Sequence, residues 1–373
     1  MLFLILLIIV VYGILILWFA DGLQHHDKKE EQLNIDAMPL VSVIVSARNE
    51  EKNIPQLISA LNQQSYPHHL YEILVANDRS SDGTAKLLQK LAHHQSNLTV
   101  ETIKETPLGW SPKKWALSQI IERARGEILI QTDADCIPTS KWIETIVQEF
   151  DDPSVGFVSG PAPLTNHKGY IDNLFEMESL AQDVFSAGAL SHGFALSCTG
   201  RNIAFRKSVY EEISGYEDIQ NFQSGDDDLL LQKVATQTKW KVKFSLEKNS
   251  IVESPPPKSI VQFVRQRLRF ASKGLSYYQM QSSTGLKLIL PFLYLANFVV
   301  VISLLNFAQL ASFLWLVPLL LKAIFDGVIT YIFYSRLKLN WSLSVFAVLT
   351  LLHPFYVVIF GALGPFTTIN WKR

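Results

Sequence analysis

Two uncharged apolar runs bracket this 373-residue chain and restrict what it can fold into. Residues 2–20 carry no charge and are nearly all Leu, Ile, Val or aromatic; no charge falls between Leu288 and Leu321. About 20 such residues span the hydrocarbon of a bilayer as a helix. Lipid offers no hydrogen-bond partners, so a single spanning segment must bond its own backbone, and only a helix does that. The mean hydropathy of +0.17 is high for a soluble protein, and the excess sits at these two ends. Residues 1–20 read as an anchor: no basic stretch precedes the run, the run is too long for a cleaved leader, and no Ala-x-Ala follows.

The C-terminal tract predicts spans at about 288–306 and 310–334. The second holds Lys322 and Asp326, spaced i,i+4 and able to neutralise each other inside a bundle. A third apolar segment, 343–364, is interrupted by His353-Pro354; it either spans with a kink or re-enters as two half-helices. Between Glu253 and Asp326 there is no acidic residue, while Lys258, Arg265, Arg267, Arg269, Lys273 and Lys287 fall in that interval. Within 258–273, Ile260, Val261, Val264, Leu268 and Ala271 make one helical face, with Gln266, Arg269, Phe270 and Lys273 on the other. That pattern predicts an amphipathic helix on an anionic membrane surface. Lys28 and Lys29, the basic interval, and Arg336 with Lys338 place these segments on the cytoplasmic side. The tail Trp371-Lys372-Arg373 agrees only if the last segment re-enters.

Between the apolar ends, strand and helix signals alternate. Strands are expected at Val41 to Ser46, Tyr71 to Ala76, Leu98 to Thr102, Glu127 to Gln131 and Val155 to Ser159. Helices are expected from a cap at Asn49 to about Gln64, after Thr84 to about His93, and from Lys113 to Ala124. This alternation predicts an α/β fold, a mostly parallel sheet with helices on both faces. Ligands of such sheets bind beyond the carboxyl ends of the strands. Asn77-Asp78 and Asp133-Ala134-Asp135 both fall at that edge and should converge. The expected organisation is an anchor (1–20), a polar linker (21–38), an α/β domain (39–250), basic interface helices (251–285) and a membrane region (286–373).

Paired carboxylates at a strand end supply hard oxygens that suit Mg²⁺ or Mn²⁺. A lone Asp-x-Asp is more often a solvated turn, so Asp133 and Asp135 gain weight only from their neighbours. Asp78 either accepts from a base or ribose or makes an Asx turn. Arg48 either meets phosphate or is a surface charge. Lys114 either faces the crevice or is solvated, and Lys113 is an equal rival. Asp226, Asp227 and Asp228 suit a helix N-terminus or a base for an acceptor hydroxyl. The net charge of −1 gives no general pull toward nucleic acid. Two cysteines, Cys136 and Cys198, make no disulfide framework, and the nine histidines lack metal-ligand spacing. No phosphate-binding Gly-x-x-x-x-Gly-Lys-Ser/Thr and no Gly-x-Gly-x-x-Gly after the first strand occurs, which argues against ATP hydrolysis and nicotinamide chemistry.

Several stretches, taken in order, resemble the family 2 glycosyltransferases. Val41 to Glu51 is similar to their opening strand and loop, and Asn77 to Thr84 to their second-strand turn. Lys113 to Leu117 and Ala124 to Glu127 resemble the stretch before their Asp-x-Asp. Thr199 to Arg206 and Ser224 to Asp228 resemble their acceptor loop and acidic motif. Gln266 to Phe270 resembles their Gln-x-x-Arg-Trp, with Phe270 in place of Trp. The likeness covers about residues 39–275 and is nearest to membrane-anchored, ceramide glucosyltransferase-like and cellulose synthase-like members.

The resemblance implies a GT-A domain at the cytoplasmic face of the cell membrane, in a multi-pass protein that inverts the sugar it transfers. The donor would be a nucleotide sugar, UDP-linked, and the acceptor a lipid or lipid-linked hydroxyl. Asp227 would be the base, with Asp226 beside it and Arg269 on the diphosphate. Arg48, Asp78, Lys114, Asp133 and Gln266 would bind donor; Gly200, Asn202 and Phe270 would bind acceptor; Asp133 and Asp135 would hold Mg²⁺ or Mn²⁺. The alternatives are a processive polysaccharide synthase and a non-catalytic scaffold that binds nucleotide sugar.

Overall fold

The computed structural model describes residues 1–24, 38–164 and 169–367. The expected linker residues Lys28 and Lys29 and the basic tail 371–373 lie outside the described residues. The chain forms two compact units.

Among the described residues, the α/β unit comprises 38–164 and 197–255. Its strands are β1 (Val41–Ala47), β2 (Tyr71–Asp78), β3 (Leu98–Ile103), β4 (Ile128–Asp133), β5 (Ile137–Pro138), β6 (Val155–Ser159), β7 (Ile203–Arg206), β8 (Lys241–Phe244) and β9 (Val252–Glu253). Its helices are α2 (Ile54–Asn62), α3 (Thr84–His94), α4 (Pro112–Ile121), α5 (Trp142–Gln148), α7 (Lys207–Glu212) and α8 (Asp228–Gln237). Seven strands form one sheet in the order β3-β2-β1-β4-β7-β6-β8. The first four are parallel, β6 pairs parallel with β8, and β7 runs against both of its neighbours. The central strands are largely apolar and do not alternate, because both faces are covered; every residue of β2 is buried, Glu72 and Asp78 included. The sheet is therefore mostly parallel, as the alternation predicted. The short strands β5, β7, β8 and β9 carry too few residues for a period to show.

Register places the strand ends side by side. Ala47 pairs with Asn77 and Ser46 with Asp133. Because β7 is antiparallel and Gln131 pairs with Ile203, the residues just before β7 reach the same edge from the opposite direction. Helix α2 starts later than expected: its N-cap is Asn53, and Asn49 takes a left-handed φ of +56°. Asn49 is a latch between loops instead. Its Oδ1 accepts from Ser81 N at 2.8 Å, and Thr84 Oγ1 accepts from Glu50 N at 2.8 Å. Ala124-Arg125-Gly126 braces the far edge: Arg125 N and Nε donate to the Glu72 carboxylate, and Gly126 N donates to Ser42 Oγ.

Among the described residues, the helical unit comprises 1–24, 169–196 and 256–367. Its helices are α1 (Leu2–Gln24), α6 (Tyr170–Ser191), α9 (Ile260–Ala271), α10 (Ser276–Gln279), α11 (Thr284–Leu310), α12 (Val317–Leu337) and α13 (Leu343–Leu363). Among the described residues four helical segments are long and apolar enough to cross a membrane: Leu2–Gln24, Thr284–Leu310, Phe313–Leu337 and Leu343–Phe366. Helix α13 runs unbroken through His353-Pro354, so two half-helices are not formed. The stretch 160–198, which the expected organisation puts inside the α/β domain, contains the 22-residue α6, which packs on α1, α12 and α13. Lys322 Nζ meets Asp326 Oδ2 at 2.5 Å, and Tyr12 Oη donates to Asp326 Oδ1 at 2.5 Å. The expected pair is thus closed, with α1 adding a third partner.

On α9 the buried residue is Arg267, which the amphipathic reading placed on neither face. Its guanidinium pairs with the buried Glu178 of α6 and stacks over Phe263 and Phe270. Burial pushes the Glu178 carboxyl above its ordinary range, against the opposing pull of Arg267. Ile260 and Val261 are exposed at 64% and 60%.

Candidate active site

The carboxyl edge of the sheet gathers a cation and a set of carboxylates. Pro112 opens α4, a position where its missing N–H costs nothing. Lys113 follows and its Nζ lies 2.9 Å from Asp133 Oδ1 and 2.8 Å from Asp226 Oδ2. Burial by itself would lower the Lys113 ammonium, but the carboxylates of Asp133 and Asp226 outweigh it and hold it above the ordinary lysine range. A group shifted upward loses its contribution only above its folded pKa, so this bridge stays charged throughout the neutral range. Gln131 Nε2 donates to Asp226 Oδ2 at 3.1 Å, and Tyr216 Oη donates to Gln131 Oε1 at 3.3 Å. Burial keeps the Tyr216 phenol well above 10, so it remains a donor. Asp226 is thereby held from two sides.

The three acids of the 226–228 run have three separate jobs. Asp226 is buried and joins the Lys113 bridge. Asp227 caps α8 and is half-buried: Oδ1 accepts from Asp228 N and Oδ2 from Gly200 N, both at 2.7 Å. These two backbone donors fix the direction of its carboxylate. Asp228 is 3% exposed, and its Oδ1 accepts from Ser197 Oγ at 2.8 Å and Cys198 N at 2.7 Å. Asp228 stands in the first turn of α8, the helix-start position expected for it, and it also anchors the loop 197–200.

Gly225 makes this turn possible. Its φ is +83°, and an added Cβ would lie 2.5 Å from Leu229 Cγ. Gly225→Ala is expected to combine left-handed strain with that clash and to cost on the order of 2 kcal/mol. A thermal midpoint equal to the parent protein would contradict it.

The other expected residues divide. Asp78 is fully buried; its Oδ1 accepts from Arg79 Nε at 2.8 Å, while Oδ2 and Asn77 Oδ1 are buried without a hydrogen-bond partner. Buried unpaired acceptors are costly, and a donor-bearing ligand at this edge would satisfy them. Arg48 is half-buried directly after β1, at the same edge. Asp135 is half-buried two residues beyond β4. Lys114, expected to face the crevice, is 1% exposed and its Nζ donates to the carbonyls of Phe222 and Ser224. It braces the loop leading into the acids, and of the two rival lysines Lys113 is the one beside the carboxylates. Asn202, expected at the acceptor, is fully buried: Nδ2 donates to Pro161 and Ser250 carbonyls, and Oδ1 accepts from Trp142 Nε1. It is a packing hub. Gly200 does reach the acids, through its N–H and through a space in which a Cβ would sit 3.1 Å from Asp227 Oδ2. Gln266, Arg269 and Phe270 stand on α9 in the helical unit, where Phe270 carries Arg269 at 4.9 Å and Lys273 at 5.6 Å from its ring centre. Sequence reasoning missed Gln131 and Tyr216. A glutamine inside an apolar strand was the available signal for the first.

Among the described residues no group of three or more His, Cys, Asp or Glu side chains converges as a metal cluster. The donor chemistry nevertheless fits a divalent ion that takes most of its ligands from phosphate and water. Asp133 and Asp135 would hold it, at an edge where an ammonium already sits between Asp133 and Asp226.

Residues 42–214 match the family model described as glycosyl transferase family 2. The chain carries a family 2 glycosyltransferase domain. It is similar to a beta-monoglucosyldiacylglycerol synthase of Trichormus variabilis, at 27% identity over 269 residues, 72% of this chain and 55% of that protein. It is also similar to a poly-beta-1,6-N-acetyl-D-glucosamine synthase of Staphylococcus aureus, at 23% identity, covering 71% of this chain and 61% of that one. The chain spans about half the length of the first curated relatives it matches. A mannosyltransferase from Pyrobaculum calidifontis, solved in complex with GDP-Man and Mn²⁺, shares the fold with a TM-score of 0.59 at 18% identity, over 98% of this chain and 99% of its own. The domain is thus GT-A in fold.

Proposed function

We propose that this protein is a membrane-bound, inverting glycosyltransferase. It moves a sugar from a nucleotide donor, UDP-linked, to a lipid or lipid-linked hydroxyl, with its GT-A domain at the cytoplasmic face. The observation that carries the reading is the convergence of Asp133, Lys113, Asp226 and an oriented Asp227 at the carboxyl edge of the sheet. Asp227 takes the proton of the acceptor hydroxyl as that oxygen attacks the anomeric carbon. Lys113 and Gln131 keep Asp226 in place beside it. Asp78, with its unpaired Oδ2, receives a donor group of the base or ribose. Mg²⁺ or Mn²⁺ at Asp133 and Asp135 would supply neutralisation of the leaving diphosphate. The diacylglycerol-linked activity named for one relative supports a lipid acceptor.

The deciding experiment incubates the purified full chain with a panel of nucleotide sugars and a membrane lipid extract, read by mass spectrometry. A lipid heavier by one sugar residue is expected. A ladder of sugar polymer would establish the processive alternative, which the polysaccharide synthase relative favours. Nucleotide-sugar binding without any product would establish a scaffold.

Asp135→Ala is expected to weaken Mn²⁺-dependent UDP binding by at least about tenfold, because few protein ligands are on offer. Calorimetric titration of UDP with and without Mn²⁺ measures it, and an unchanged affinity would remove Asp135 from the site.

A further inference from the structure

The helical unit holds a partly open cavity of about 340 Å³, within the size range of small-molecule sites, roughly 300–1,000 Å³. Its apolar wall includes Leu290, Leu293, Val357 and Phe360; its polar wall includes Glu178, Arg267, Asn297, Lys322 and Tyr356. Two ionic pairs are closed within the unit, Arg267 with Glu178 and Lys322 with Asp326. These pairs leave no net charge for an anionic ligand to meet. Three polar atoms in the wall lack a hydrogen bond; one, Glu178 Oε2, is met by the Arg267 ion pair, and the other two are not met at all. Asn297 is 5% exposed; its Nδ2 donates to Leu293 O at 2.8 Å, and its Oδ1 is buried with no partner. Arg267 is 6% exposed, and its Nε has no partner either. The wall therefore lacks one donor, for Asn297, and one acceptor, for Arg267.

We infer that this cavity binds the head of an uncharged, hydroxyl-bearing glycerolipid. The hydroxyl would donate to Asn297 Oδ1, an ester carbonyl would accept from Arg267 Nε, and the acyl chains would lie along the apolar wall. A phosphate-bearing lipid would bring a charge that the closed pairs do not compensate, and burying an unpaired charge is costly. The inference rests on the lipid-acceptor reading above and narrows it to a neutral lipid; the pose is a holding one, since the lipid's single hydroxyl must leave Asn297 before Asp227 can take its proton. Its test is a binding measurement, so its failure is distinguishable from failure of transfer.

The full chain in detergent is titrated with 1,2-dioleoylglycerol, with its 3-O-methyl ether and with dioleoyl phosphatidic acid, and bound lipid is counted by native mass spectrometry. Saturable binding of one dioleoylglycerol is expected. The methyl ether, which cannot donate, should bind about tenfold more weakly, as should dioleoylglycerol to Asn297→Val. The ether comparison uses the unaltered protein and stands even if Asn297→Val does not fold. Equal binding of the ether, preference for phosphatidic acid, or no saturable binding at all would each overturn the inference.

Discussion

Asp227→Asn should lower kcat by about 10²–10⁴-fold, the usual contribution of a general base, while donor affinity is kept. The amide is nearly isosteric but cannot take the acceptor proton. It also turns one N–H₂ toward a backbone N–H, Gly200 or Asp228, because the carboxylate now accepts from both. A stability loss of about 1 kcal/mol is therefore expected alongside. Steady-state kinetics with UDP binding and a thermal midpoint separate the two effects: the loss belongs in kcat and not in donor KM. Parent-like turnover would show that the base lies elsewhere, and Asp226 would be the next to test.

Lys113→Met should destabilise the α/β unit by on the order of 3 kcal/mol, because it leaves the carboxylates of Asp133 and Asp226 facing one position with no cation between them. The low end of the usual range applies, since the Asp133 side chain is 33% exposed and water screens part of the loss. Lys114→Met removes a different bond set, to the Phe222 and Ser224 carbonyls, and so should disturb the approach to Gly225 without opening the carboxylate bridge. Thermal midpoints of both variants, each with added Mn²⁺, distinguish the roles. Stabilisation by Mn²⁺ should be greater in Lys113→Met than in the parent, since the ion there competes with no ammonium. An unchanged midpoint for Lys113→Met would contradict the bridge.

Some of this site was legible in the residues. Asp133 and Asp78 were placed at one edge because parallel strands put their carboxyl ends together, and the register of Ser46 with Asp133 and Ala47 with Asn77 does so. The choice between Lys113 and Lys114 was not legible. Adjacent helical residues point about 100° apart, and which of them meets the crevice depends on how α4 is rotated against the sheet. Asn202 misled for a similar reason: its motif resembles an acceptor loop, yet its amide is consumed by Pro161, Ser250 and Trp142, partners up to 60 residues away. Asp228 was read from its position at a helix start, where a local rule applies; its burial against Ser197 and Cys198 is a long-range fact.

The sequence by itself determined the alternation that makes the sheet, the apolar lengths that make four candidate spans, and the positions of the acids along the chain. All three follow from local periodicity or from counts of uncharged residues, which need no partner to be read. Tertiary structure alone decided that α6 belongs with the helical unit, that β7 runs against its neighbours, and that Arg267 is the buried cation of α9. Each depends on a partner distant in sequence: α1, α12 and α13 for α6, β4 and β6 for β7, and Glu178 for Arg267. An isolated stretch of sequence cannot state what will be opposite it, and the free energy of burying a charge is set by what is opposite.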